Sequence, residues 1–186
     1  MYHFTRRRFL KSSTVLLAAS FTATSFDVKR NEPLLAFSTL GCPDWNFKKI
    51  TDFAVQHDYK GIEVRGIQRQ MDLTKCNEFS SRENIKTTLA IMKDKGLRFV
   101  DLGSSAEMHI ADSAERKKNL DEARQFIDLA QEINCPYIRV FPNKIPKDQE
   151  KNETMDHIIR GLIELGSYAK GSKVSVLMET HGDLVK

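Results

Sequence analysis

Five short runs of β-branched and apolar residues, each parted from the next by a helical pattern, restrict this chain to a parallel α/β fold. The runs are Leu34 to Ser38, Gly61 to Arg65, Leu97 to Leu102, Tyr137 to Phe141 and Val174 to Glu179. Their starts lie 27 to 40 residues apart, the period of a strand plus a crossover helix rather than of a helical repeat. Four amphipathic patterns lie between them. Phe47, Ile50, Phe53 and Ala54 follow Pro43-Asp44, and Ile85, Leu89 and Met92 follow a Ser80-Ser81-Arg82-Glu83 capping box and stop at Gly96. Leu120, Ala123, Ile127 and Ala130 follow Asp112-Ser113-Ala114-Glu115, and Ile158, Ile159, Leu162, Leu165 and Ala169 are closed by Gly171. The longest irregular pieces, Gly66 to Phe79 and Pro142 to Lys151, both follow strands. In parallel sheets that is the end where ligands bind.

Two parallel architectures compete. A doubly wound sheet that binds a nucleotide carries a glycine-rich turn after its first strand, and Ser38-Thr39-Leu40-Gly41-Cys42-Pro43 holds one glycine. A (β/α)8 TIM barrel has no such requirement but takes about 250 residues. The expectation is therefore a barrel of which about the first four and a half βα units are present, over residues 33 to 186. A complete barrel at this period would need about 110 residues more.

The first 25 residues form a separate unit. Thr5-Arg6-Arg7-Arg8-Phe9-Leu10-Lys11 precedes the acid-free, mildly apolar Ser12-Ser13-Thr14-Val15-Leu16-Leu17-Ala18-Ala19. Every position of the bacterial twin-arginine export signal has its counterpart there, so the segment resembles that signal. The resemblance implies a periplasmic or otherwise exported protein that crosses the membrane already folded. Cleavage near Ala23-Thr24-Ser25 competes with sites near Ala18 and Ser20, and the plainer reading is a basic, amphipathic terminus. The apolar run is too short to span a bilayer stably, so no membrane span is expected after the signal is removed.

Removing that segment changes the charge balance. The chain holds 29 basic and 25 acidic residues, and residues 1 to 25 contain four of the basic ones and no acid, which leaves 29 − 4 = 25 of each sign. A neutral mature chain without a basic stripe argues against nucleic acid as a partner. Cys42, Cys76 and Cys135 lack CxxC spacing and are odd in number, as expected of packed thiols rather than a zinc knuckle or a disulfide framework.

Four segments in order carry a more specific resemblance: Leu35-Ala36-Phe37-Ser38-Thr39-Leu40-Gly41-Cys42-Pro43-Asp44-Trp45, Tyr59-Lys60-Gly61-Ile62-Glu63-Val64-Arg65-Gly66, Tyr137-Ile138-Arg139-Val140-Phe141-Pro142 and Leu177-Met178-Glu179-Thr180-His181-Gly182-Asp183. Together they resemble the xylose isomerase-like sugar phosphate isomerase/epimerase family, from about residue 34 onward. The resemblance implies that Glu179 binds a divalent metal (Mn, Mg, Co or Zn) and serves as the acid/base that moves a proton between adjacent sugar carbons. It also implies that His181, two residues on, touches substrate oxygens, and that the other metal ligands come from strands six to eight. The chemistry is coherent, because a hard cation stabilises the ene-diolate left by deprotonation beside a carbonyl.

Other side chains have both a functional and a structural reading. Glu63 and Arg65 share a strand face and either form a charged pair in the mouth that meets substrate or fill the barrel interior as an ion pair. Trp45 either walls a sugar ring or packs at a helix start. His109 either lines the mouth or is solvated, and Arg139 is expected to pair with a barrel carboxylate. The resulting expectation is a metal-dependent sugar (phosphate) isomerase or epimerase acting on a small-molecule sugar. A non-catalytic exported sugar-binding protein on the same fold is the alternative. Cleavage of abasic DNA is disfavoured by the neutral charge, the export signal and the lack of histidine immediately after strands two and three. Open strand edges would also permit a homo-oligomer.

Overall fold

A computed structural model describes residues 33–184, so the export-signal expectation over residues 1–25 lies outside the described residues. Five strands form one sheet: β1 (Ala36–Ser38), β2 (Gly61–Val64), β3 (Arg98–Glu107), β4 (Tyr137–Phe141) and β5 (Ser175–Met178). All four pairings are parallel. The spatial order is the chain order, β1-β2-β3-β4-β5. A doubly wound sheet reverses direction at a switch point. This sheet never does, so each crossover steps one strand onward, as in a barrel wall.

Residues alternate between the two faces of the sheet, apart from register shifts that β3 makes against β2 and β4. Ile62, Val64, Leu102, Ile138 and Val140 are almost completely buried. Each side chain of this size contributes about 1.5–3 kcal/mol when removed from water. Over that face pack α1 (Phe47–Gln56), α2 (Arg82–Asp94), α3 (Ser113–Glu132) and α4 (Lys151–Tyr168). The opposite face carries Glu63 and Asp101, paired in register across β2 and β3, and Arg139 of β4.

The helix starts show local chemistry at work. Asn46 caps α1 by accepting from the Lys49 amide at 2.9 Å. Asp112 caps α3 by accepting from the Ala114 and Glu115 amides, as its sequence suggests. At α2 the sequence reading needs correction by one position. The cap is Ser81, which accepts from the Asn84 amide at 3.1 Å, so Glu83 sits in the first turn instead of closing a capping box. Gly96 follows α2 with φ +65°, and Gly171 lies two residues past the Ala169 cap of α4 with φ +96°.

β3 is also longer than expected, running to Glu107 instead of stopping at Leu102. Gly103-Ser104-Ser105-Ala106 has the composition of a loop, yet it is held extended by side chains of α3. Glu122 accepts from the Ser105 amide at 2.6 Å and Asn119 from the Glu107 amide at 2.8 Å. These contacts supply backbone hydrogen bonds that a β neighbour would otherwise provide. The segment after β2 is compact, with 3₁₀ turns at Leu73–Lys75 and Asn77–Phe79 that bury Leu73 and Phe79.

All three cysteines are buried and unbridged. Among the described residues no helix is long and apolar enough to cross a membrane. β5 is paired on one side by β4, and its Leu177 and Met178 are 41% and 42% exposed.

Candidate functional site at the carboxyl end of the sheet

The site is built around one buried cation. Arg139 is 7% exposed. Its Nη1 donates to the Ser104 carbonyl at 2.9 Å, while its Nε forms an ion pair with Glu179 Oε2 at 2.9 Å and its Nη2 stands 3.8 Å from Glu63 Oε1. Glu179 follows β5 directly and is aligned by its own amide, which donates to the Val140 carbonyl at 3.0 Å. Carboxylates from β2 and β5 thus meet a guanidinium from β4.

His181 lies on the outer side of this group. Its ring centroid is 5.1 Å from that of Phe141, and its Nδ1 is 4.0 Å from Glu179 Oε1. The Arg139 guanidinium lies 4.1 Å from the centroid of the same Phe141 ring. Phe141 is therefore an aromatic surface with a cation on one contact and an imidazole on another.

Glu63 and Arg65 do not pair with each other, which corrects the ion-pair reading. Glu63 turns to Arg139, whereas Arg65 donates to the Gly103 carbonyl at 3.3 Å and to Ser105 Oγ at 2.8 Å. Burial first, and then the charge of Arg139, lower the Arg65 pKa. The Thr39 hydroxyl accepts from the Arg65 and Gly66 amides and ties the loop after β1 to that after β2.

Two expected residues stand apart from this cluster. The Trp45 ring packs 5.1 Å from that of Phe53, with Lys49 Nζ 4.4 Å above it, so its described contacts are with α1. His109 is neither solvated nor a member of the cluster. It is 4% exposed, its Nδ1 lies 3.6 Å from Glu107 Oε2, and burial followed by Lys144 pushes its pKa down against the pull of Glu107. Because β3 ends at Glu107, His109 comes two residues after that strand, and the lack of a histidine near strand three no longer argues against any activity.

Asp101 belongs to the cluster and sequence reading missed it. It sits beside Glu63 in register, its Oδ1 is buried with no hydrogen-bond partner, and its pKa is pushed up to about 6. Burial is the main cause, Glu63 adds to it, and Arg139 opposes it. An acid inside the run Arg98-Phe99-Val100-Asp101-Leu102 was the available signal.

The donors present are hard oxygens, the right type for a divalent cation. Glu179 keeps Oε1 after Arg139 takes Oε2, with His181 beside it. Among the described residues no three His, Cys, Asp or Glu side chains stand close enough to hold an ion together. The chain thus fits such a group in donor chemistry alone.

A parallel sheet wound in chain order, with charged side chains gathered at its carboxyl end, defines a protein of the TIM-barrel class. The chain belongs to the xylose isomerase-like TIM barrel family, whose pattern matches residues 51–185. A search of curated proteins found no match. Among solved structures, a probable 3-DHS dehydratase, AsbF, from Bacillus anthracis is 21% identical, with a TM-score of 0.60 over 81% of this chain and 53% of that one. The IolI protein with a bound zinc atom is 16% identical, with a TM-score of 0.65 over 78% and 51%. D-Psicose 3-epimerase with D-tagatose from Clostridium cellulolyticum H10 is 14% identical, with a TM-score of 0.58 over 76% and 50%. The chain spans about half the length of these structures.

Proposed function

We propose that this chain contributes the β5 glutamate of an exported, metal-dependent isomerase or epimerase acting on sugars or sugar acids. The carrying observation is Glu179, held at the carboxyl end of β5 with one oxygen on Arg139 and the other left toward His181. A divalent cation, when bound, supplies charge stabilisation for an ene-diolate. Glu179 would hold that cation and would exchange the proton between adjacent carbons. His181 donates to a sugar oxygen, and Phe141 covers the apolar face of the ring. Epimerase and zinc-bound relatives of the same fold support this reading. The twin-arginine resemblance supports an extracytoplasmic address and hence unphosphorylated substrates.

The test is thermal unfolding of the chain with and without Mn²⁺ or Mg²⁺. Binding to the native state raises Tm, and Glu179→Gln should remove most of that rise. An unchanged metal response in the variant would sink the assignment. The engagement of Glu179 by Arg139 favours a second reading, a sugar-binding protein without turnover. Sugar-dependent stabilisation that needs no metal and survives Glu179→Gln would select it.

A further inference from the structure

Resting on the reading of Glu179 above, we propose that Arg139 is the positioning residue of this site: its guanidinium takes Oε2 of Glu179 and leaves Oε1 as the oxygen through which that carboxylate meets a ligand. Glu179 sits just past β5 and its side chain is 46% exposed. A carboxylate so placed has several rotamers open to it.

Arg139 has far less freedom. Three of its nitrogens face three strands: Nε meets Glu179 beyond β5, Nη1 meets the Ser104 carbonyl of β3, and Nη2 faces Glu63 of β2. Its flat face is occupied by Phe141 of its own strand. Ser104 closes the arrangement by donating from Oγ to the Arg139 carbonyl at 2.7 Å. The Ser104 hydrogen bond and the Phe141 face fix the plane of the guanidinium fork and so hold Nε 2.9 Å from Glu179 Oε2, a placement that an ammonium on a flexible stem would not reproduce. The fold leaves room for the fork, because a Cβ at Gly103 would lie 2.7 Å from Arg139 Nη2. Through Phe141 the same side chain also seats His181.

Charge and geometry are separable by Arg139→Lys, which keeps the cation and loses the fork. Titration of Mn²⁺ alone into the full chain, read by electron paramagnetic resonance, should show affinity at least about tenfold weaker in Arg139→Lys. Wild-type affinity in that variant would overturn the proposal. So would unchanged binding in Arg139→Lys with tighter binding in Arg139→Met, because Arg139 would then be only a competing cation. A second measurement needs no metal and no Arg139 variant. The Arg139 Nε–H signal in the ¹⁵N spectrum should exchange slowly with solvent in wild type and quickly in Glu179→Gln, and rapid exchange in wild type would overturn the clamp. If Glu179→Gln leaves Mn²⁺ affinity unchanged but releases a protected Nε–H, the metal reading of Glu179 fails and the clamp stands.

Discussion

The Arg139 guanidinium pairs with Glu179 at 2.9 Å while standing 3.8 Å from Glu63, so one buried cation serves carboxylates from strands on both sides of β4. Asp101 lies in the same interior layer. Removing the cation leaves acids facing one another in a partly desolvated space. Breaking a fully buried pair costs about 3–5 kcal/mol. Glu63 and Glu179 are 30% and 46% exposed, so solvent screens part of the penalty. Arg139→Met is therefore expected to cost about 1–3 kcal/mol at pH 7. Urea unfolding should show the loss at pH 7, and equal midpoints there would contradict the account.

Gly103 is expected to tolerate no side chain without disturbing this layer. An added Cβ would stand 2.7 Å from Arg139 Nη2, 2.8 Å from Arg65 Cδ and 3.3 Å from Glu63 Oε1. All three contacts are side-chain atoms, so they can retreat and the fold should survive. Overpacking of this kind typically costs about 1–3 kcal/mol. Gly103→Ala should lower the urea midpoint and speed solvent exchange of the Arg139 Nε–H. A normal exchange rate in the variant would mean that the guanidinium does not need the space.

The parts of this fold legible in the sequence are those in which a residue's own neighbours in the chain decide its state. Tyr137–Phe141 was readable to the residue, because a β-branched and aromatic run bounded by prolines has few alternatives. Ser104 to Glu107 was not, because its extension depends on Glu122 and Asn119, more than ten residues away. The site divides in the same way. Glu179 could be read from its place at a strand end, and Arg139 as some carboxylate's partner. Which carboxylate it pairs with, and that Arg65 abandons Glu63 for Ser105, depends on neighbouring strands that only the folded sheet brings together. Asp101 escaped because a single acid in an apolar run does not reveal which face it takes.

His109 should make the protein less stable in mild acid. Its burial, reinforced by Lys144, lowers its pKa below the ordinary 6.5, with Glu107 acting in the opposite direction. The folded state then resists the proton that the unfolded state accepts. Its contribution is complete above about pH 6.5 and is lost as pH falls through the folded pKa. His109→Gln should flatten the decline in urea stability between pH 7 and pH 5, and the His109 ring signals should titrate below those of an exposed histidine. A midpoint at or above 6.5 would contradict this.

Asp101 acts in the opposite direction. Its carboxyl is raised from 3.8 to about 6, so the folded state favours the neutral acid and pays a penalty for the charged one. The sign follows from linkage. Below about pH 4 both states are protonated and there is no penalty; it grows between pH 4 and pH 6 and is complete above that. The gap between the two pKa values corresponds to roughly 3 kcal/mol at most. Asp101→Asn carries its own packing cost, because a buried amide needs partners that Oδ1 already lacks. The informative quantity is therefore the change in the variant's stability relative to wild type as pH rises. That difference should move in favour of Asp101→Asn by about 1–3 kcal/mol between pH 4 and pH 7, read by urea unfolding in the same buffer series. A constant difference across that range would show that Asp101 ionises freely in the folded protein, and the layer beneath Glu63 and Arg139 would then be wetter than its burial implies.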